Sequence, residues 1–266
     1  MKDKKLCVLF IGDIVGEAGR NAIGTLVAGL VKEYQADFII ANCENSAGGK
    51  GVTPKITEYL LGCGIDVLTS GNHIWDRQEI IPYIGTQPRL LRPANFPKSN
   101  PGVGFGIFGT RNGERVGVIN LCGKLFMDSY EHPFLCASAL VEKLREQTQF
   151  IIVDFHAEAT SEKIAMGWYL DGKVSAVIGT HTHVQTADER VLPGGTAYIT
   201  DVGMTGPMDS VIGMDKGKAI NRFLTLIPQR FEAAKDDVWL HGVVIDLDME
   251  SGKSLGIKRI AVSIRL

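Results

Sequence analysis

At 266 residues, 45% of them apolar, the chain is ample for a buried core, as one large α/β domain or two small ones. Its 28 Lys plus Arg against 30 Asp plus Glu leave a net charge of -2, which argues against an extended nucleic-acid partner or a membrane surface. No apolar run approaches the ~20 residues of a membrane span; five scattered cysteines with no Cys-x-x-Cys pair read as reduced thiols of a cytoplasmic protein and argue against a zinc ribbon.

Residues 6–11 are apolar throughout, as in a parallel strand covered on both faces, and so close to Met1 they read as a first strand and not as an export segment. Gly12-Asp13 ends that strand. Over residues 20–34, Ile23, Leu26, Val27, Leu30 and Val31 recur at helical spacing and predict an amphipathic helix. Gly12, Gly16 and Gly19 have the wrong spacing for a dinucleotide-binding turn. Residues 38–41 form a second strand that delivers Asn42-Cys43-Glu44-Asn45, and the glycine-rich stretch 47–51 reads equally as a mobile loop beside a site and as plain surface. Thr53 and Pro54 suit the cap and first turn of a helix to Leu61. A third strand over 65–70 empties into Gly71-Asn72-His73, so the order strand, helix, strand, helix, strand predicts a parallel sheet.

Residues 82–101 are too rich in Pro, Asn and Arg for a long element. Residues 102–110 and 115–121 alternate like paired antiparallel strands about an Asn112-Gly113 turn, as an insertion or as the sheet's centre line. A helix over 133–147, a strand over 150–154 and a short helix over 161–169 precede the run 174–178, which leads to Gly179-Thr180-His181-Thr182-His183. The short apolar runs 190–192, 197–200, 239–247 and 255–264 read as a second, mainly antiparallel sheet. The expected architecture is an α/β/β/α sandwich of two facing sheets, a single domain over 1–266 with no linker and no internal repeat.

Five of these runs end in polar, metal-competent residues, and ligands of open α/β sheets bind at such strand ends. Collected, they are Asp13, Glu44, Asn45, Asn72, His73, His156, His181 and His183, four of the six histidines among them. Carboxylate, amide oxygen and neutral imidazole without thiolate suit Fe, Mn or Zn. Eight positions exceed what one four-coordinate ion needs, so two ions with a shared carboxylate is the economical reading. Singly, each has a plainer role: Asp13 as a helix cap, His156 as a hydrogen-bonded core histidine, Glu44 and Asn45 as loop residues. His132 and His241 lack comparable company and read as structural. Asp154, Glu158, Asp188 and Asp201 lie near the same loops, where one or two could orient an imidazole.

Gly12-Asp13, Gly71-Asn72-His73, His156 and Gly179-Thr180-His181-Thr182-His183 together resemble the ordered blocks of calcineurin-like binuclear metallophosphoesterases. Two departures stand out: Asp13-Ile14-Val15 lacks the histidine of the usual Asp-x-His, and Glu44, with Asn45 beside it, replaces the usual bridging Asp. Both match the YmdB-like branch, which residues 11–16, 42–45 and 179–188 closely resemble. The resemblance implies a metal-dependent hydrolysis of cyclic nucleotides, 2′,3′-cyclic first and cAMP in some members. It puts Asp13, Asn45 and His183 on one metal, Asn72, His156 and His181 on the other, Glu44 between them, and leaves His73 free. Iron is the expected metal, with manganese or zinc as alternatives. In that scheme a hydroxide bridging the ions attacks phosphorus while His73 protonates the leaving ribose oxygen. A nuclease or phosphatase with the same metal pair, or a metal-bound nucleotide sensor with incidental turnover, is the competing reading. The apolar edge strands are compatible with a homo-oligomer.

Overall fold

The computed structural model describes residues 5–128, 131–230 and 232–264. The chain runs β1 (Lys5–Ile11), β2 (Asp13–Ile14), α1 (Gly16–Tyr34), β3 (Phe38–Asn42), α2 (Pro54–Gly62), β4 (Val67–Thr69), α3 (Ile80–Ile84), β5 (Phe105–Gly109) and β6 (Arg115–Cys122). It continues through α4 (Pro133–Arg145), β7 (Phe150–His156), α5 (Thr160–Leu170), β8 (Ala176–Thr180), β9 (Arg190–Val191), β10 (Ala197–Ile199), β11 (Met204–Pro207), α6 (Lys216–Thr225), β12 (Val238–Asp248) and β13 (Ser254–Ser263). One mixed sheet has the order β2-β11-β12-β1-β3-β4, with β13 also paired to β12; the other has the order β5-β6-β7-β8-β10-β9.

Alternation along β1 builds the layers. Leu6, Val8 and Phe10 enter a core shared with Val116, Val118, Phe150 and Ile152 of the second sheet, while Cys7, Leu9 and Ile11 face α1 and α2 through Ile23, Val27 and Leu60. A third core packs Ala137, Val141 and Leu144 of α4 and Met166 and Leu170 of α5 on the outer face of the second sheet. Helices therefore cover the outer face of each sheet, the α/β/β/α sandwich that the alternation of strands and helices predicts.

Membership of the sheets departs from expectation. The runs 239–247 and 255–264 do not form a sheet with 190–192 and 197–200. The former, as β12, pairs antiparallel with β1 from Lys5↔Asp248 to Ile11↔Gly242 and so completes the first sheet, with β13 beside it. β9 and β10 join the second sheet, where β10 runs parallel to β8. Periodicity marks a strand but carries nothing about a partner more than 200 residues away. The hairpin at Asn112-Gly113 is present, and its β5 arm is the antiparallel edge of the second sheet, with β6 parallel to β7.

Helix starts differ in kind. Thr53 caps α2, its hydroxyl accepting from the Ile56 N–H, with Pro54 following as expected. Asp13 caps nothing: α1 begins at Gly16 behind Val15, without a side-chain cap. The segment carrying β11 (Met204–Pro207) and α6 (Lys216–Thr225) adds a strand and a helix to the elements expected from the sequence. None of the helices among the described residues is long and apolar enough to cross a membrane.

Candidate metal centre

The parallel strands β1, β3 and β4 of one sheet and β7 and β8 of the other end together, with Asp13 just past β1 at the start of the short β2, and there most of the polar residues are buried. Glu44 carries the contacts: Oε1 lies 2.9 Å from His156 Nε2, and Oε2 accepts the His73 N–H at 3.1 Å. His181 Nδ1 lies 3.0 Å from the same His156 Nε2, and its backbone N–H donates to Asp13 Oδ2 at 3.2 Å. Glu44, His156 and His181 thus bring ligand atoms within 4.8 Å of one another. Asn45 and His183 form a second group, with Asn45 Oδ1 and His183 Nε2 3.3 Å apart. The Asn72 Oδ1 is buried near His181, whereas the His73 ring turns aside, its Nδ1 3.1 Å from Asp76 Oδ2.

Hydrogen bonds on the far side of each ring decide which nitrogen faces the cluster. His181 Nε2 lies 3.1 Å from Glu158 Oε2, which as an acceptor takes the proton there and leaves Nδ1 with its lone pair inward. His183 Nδ1 donates to the Ile212 carbonyl at 2.8 Å, which leaves Nε2 as the nitrogen that faces Asn45 Oδ1 at 3.3 Å. Asn45 cannot answer with a donor, because its amide nitrogen is already given to the Gly49 carbonyl at 3.1 Å. His156 Nδ1 meets the Thr180 hydroxyl at 2.9 Å, and that hydroxyl donates to Asp154 Oδ1 at 2.7 Å. Asn42 donates to the other Asp154 oxygen at 3.0 Å.

Charge in the cluster is strongly redistributed. Burial opposes ionisation of Glu44, yet the His156 charge and hydrogen bond, with His73 adding to them, outweigh it and hold the carboxyl at about 2. Burial likewise opposes the His156 imidazolium, and Glu44, helped by Asp13 and Asp154, holds it up at about 9. For His181 burial and the neighbouring His156 charge act together and push it down to about 3, so it stands as a neutral imidazole. Burial lifts Asp13 to about 6 against the pull of His183 and His156.

A cation fits this donor set. Two buried oxygens, Asp13 Oδ1 and Asn72 Oδ1, have no hydrogen-bond partner, and the nearest imidazole nitrogen to Asp13 Oδ1, His156 Nδ1, is too far for one at 3.7 Å. An orphaned buried acceptor costs ~1–3 kcal/mol. These two atoms, beside the ligand atoms of Glu44, His156 and His181, make a place where a cation would be satisfied.

The backbone is shaped for this packing. A Cβ on Gly71 would stand 2.2 Å from the His156 ring and 2.3 Å from Glu44 Oε2, so only glycine lets β4 end against the cluster. His181 and His183 both have positive φ, +100° and +66°, a conformation non-glycine residues rarely hold and one that commonly marks a functional loop.

Several residues of the site escape a reading by composition. Asn42, Thr180, Lys163 and Glu162 carry no chemistry of their own that a strand-end search would select; the available signal was position, Thr180 beside His181 and Asp154 two residues before His156 on one face of β7. Lys163 and Asp201 form a buried pair at 2.7 Å, and Asp201 also accepts the backbone and hydroxyl of Thr182 at 3.0 and 2.8 Å, which pins the His181–His183 loop from below. Of the four carboxylates expected near the imidazoles, Glu158 touches one directly, Asp154 acts through Thr180, and Asp188 bonds Thr186 and Thr200 instead. His241 is buried beside Gly203, and its carbonyl accepts the Gly12 N–H at 3.0 Å.

Beside the donors opens a cavity of about 860 Å³, lined among others by Asn72, His181, Trp75, Phe96, Lys124 and Phe126. Its size suits a small organic ligand.

Residues 9–260 match the model of the family described as YmdB-like protein. The chain belongs to the YmdB-like family. It is 51% identical over 256 residues, 96% of this chain and 97% of the other, to the 2′,3′-cyclic-nucleotide 2′-phosphodiesterase of Bacillus subtilis strain 168. It is 38% identical to a putative phosphatase/phosphodiesterase of Mycoplasma pneumoniae, over 96% of this chain and 92% of that one. Among solved structures, a hypothetical protein from Thermus thermophilus superimposes with a TM-score of 0.91 at 39% identity, covering 98% of this chain and 100% of that one. A novel phosphatase from Mycoplasma pneumoniae does so with a TM-score of 0.91 at 37% identity, covering 97% and 94%.

Proposed function

We propose that the chain hydrolyses 2′,3′-cyclic nucleotides with two metal ions, Asp13, Asn45 and His183 holding one, Asn72, His156 and His181 the other, and Glu44 both. The phosphodiesterase class rests on the 51% identity with the Bacillus subtilis enzyme. The metal reading is supported by one observation: the buried oxygens Asp13 Oδ1 and Asn72 Oδ1 have no hydrogen-bond partner, beside Glu44, His156 and His181, whose ligand atoms lie within 4.8 Å of one another. Two cations held there would lower the pKa of a water and offset negative charge on the phosphoryl group.

The chain's own residues do the rest. Glu158 and the Ile212 carbonyl fix the tautomers of His181 and His183, and Thr180 with Asp154 orients His156. His73 follows a proposed ligand, and its backbone is tied to Glu44. The ring donates Nδ1–H to Asp76, so Nε2 is the atom that gives a proton to the departing ribose oxygen as the P–O bond breaks and water's oxygen bonds to phosphorus. We place the enzyme in the cytoplasm, in keeping with five free cysteines.

The test is a panel of 2′,3′- and 3′,5′-cyclic nucleotides assayed with Mn²⁺ and with Fe²⁺, with and without chelator, beside metal analysis. Hydrolysis of the 2′,3′-cyclic substrates that chelator abolishes is expected; binding without metal-dependent turnover would make the protein a nucleotide sensor. His73→Ala is expected to keep its metal while kcat falls ~10²–10⁴-fold, the usual worth of a general acid.

A further inference from the structure

The cavity beside the donors is built around an unusual loop. Phe126 is 89% exposed and sits at φ +63°, two features that a phenylalanine without a task avoids. The loop that carries it is not slack. Glu162, only 7% exposed, accepts the Lys124 N–H at 2.9 Å and the Leu125 N–H at 3.2 Å, so a buried carboxylate is committed to holding this loop in shape. Gly123 lets the carboxylate come close, since a Cβ there would meet Glu162 Oε2 at 2.7 Å. The same Gly123 donates its N–H to the His156 carbonyl at 2.9 Å, which ties the loop to the donor cluster. Phe126 therefore stands at a set height over a cavity whose lining also includes Asn72 and His181 of the cluster and the ring of Trp75.

We infer that this cavity receives the nucleoside half of the substrate and that Phe126 binds it by stacking on the base. The inference rests on the cyclic-nucleotide reading proposed above. A phosphodiester bound at Asn72 and His181 extends its ribose and base into the adjoining space, where aromatic faces are available. Every base has a π-face, so stacking tolerates all four bases. Phe126 acts on binding and leaves the chemical step alone.

The experiment compares Phe126→Ala, Phe126→Trp and Leu125→Ala on adenosine 2′,3′-cyclic phosphate and on a base-free 1-O-methylribose 2′,3′-cyclic phosphate, followed by ³¹P NMR. Phe126→Ala should raise KM for the adenosine substrate about 10-fold with kcat little changed, within the range measured for removing one base–aromatic stack. It should leave KM for the base-free substrate alone. Phe126→Trp should restore KM, and Leu125→Ala, on the same loop but outside the cavity lining, should not move it. An equal KM change on both substrates, or none on either, overturns the inference while leaving the enzyme's class intact. Should the wild type hydrolyse neither substrate, the cyclic-nucleotide reading falls, and calorimetric titration with adenosine 3′-monophosphate decides the cavity alone: about tenfold weaker binding by Phe126→Ala supports a base site, equal or undetectable binding in both proteins rejects it.

Discussion

The two ends of the donor cluster are held by different means. On one side His156 lies in β7, fully buried, and its far nitrogen runs through Thr180 to Asp154, which Asn42 also grips; every member belongs to a strand of the central sheets. On the other side His183 sits in a strained loop and is steadied by a single carbonyl, that of Ile212, itself at φ +46° in the segment before α6. That segment is kept in shape by a small turn in which the Gly213 N–H donates to the Ser210 hydroxyl at 2.8 Å. Of the two ion sites proposed above, one therefore has a histidine anchored in the core strands, whereas the other has a histidine that leans on the segment before α6. Affinity should differ accordingly, because preorganised ligands lose less on binding.

The largest expected effect tests whether the two sides share a ligand. Glu44→Ala removes the group proposed for both ions, and metal analysis should find the variant with fewer than one equivalent per chain and turnover reduced by at least ~10²-fold. Two equivalents retained would show that Glu44 bridges nothing and that the sides are independent.

A smaller effect separates them. Thr180→Val keeps the shape of β8 but takes away the hydroxyl that orients His156, and competition with a chelator should show affinity on that side ~10–100-fold weaker, the range found for partners that orient metal ligands. Ser210→Ala loosens the turn under Ile212 and should weaken the His183 side instead, by less than ~10-fold. If both variants weaken the same equivalent, the division of the cluster drawn above is wrong.

The smallest effect is read in the metal-free protein as a pH dependence of Tm. His156 is raised from its ordinary 6.5 to about 9, so its ion pair with Glu44 contributes fully below pH 6.5 and is lost as pH rises through about 9. Glu44 is lowered from 4.5 to about 2, so its share is present above pH 4.5 and is lost as pH falls through about 2. Chelated protein should therefore lose a few degrees of Tm between pH 6.5 and 9 by scanning fluorimetry. Metal-loaded protein should not show that loss, since a metal takes the place of the His156 proton. An identical decline in both would show that the His156–Glu44 pair is not what the metal replaces.

Much of this was legible in the chain. The apolar runs of β1, β3, β4, β7 and β8 each end abruptly in Asp, Asn, Glu or His, and a buried run can only end that way where the strand leaves its sheet. The Thr53-Pro54 start of α2 and the Asn112-Gly113 turn follow from local chemistry alone and are seen as expected. Less legible were residues whose role is relational. Nothing in Thr180 announces that its hydroxyl stands between His156 and Asp154, and nothing in Glu162 announces that its carboxylate holds the backbone of Lys124 and Leu125. The β11–α6 segment was passed over although Ala219, Ile220, Phe223 and Leu224 recur at helical spacing in α6, because that apolar stripe is short and, Ala219 apart, is not buried against the core.

By itself, then, the amino-acid order determined which side chains could be donors, at which strand ends they emerge, and that oxygen and imidazole rather than thiolate would supply the ligands. These are properties of short stretches, decided by burial and turn chemistry within a few residues. Only the tertiary structure decided that β12 closes the first sheet against β1, that Asn45 Oδ1 meets His183 Nε2, and that Phe126 is braced beside the cluster. Each of those depends on groups tens to hundreds of residues apart, whose meeting is set by the packing of the two sheets and by no local preference.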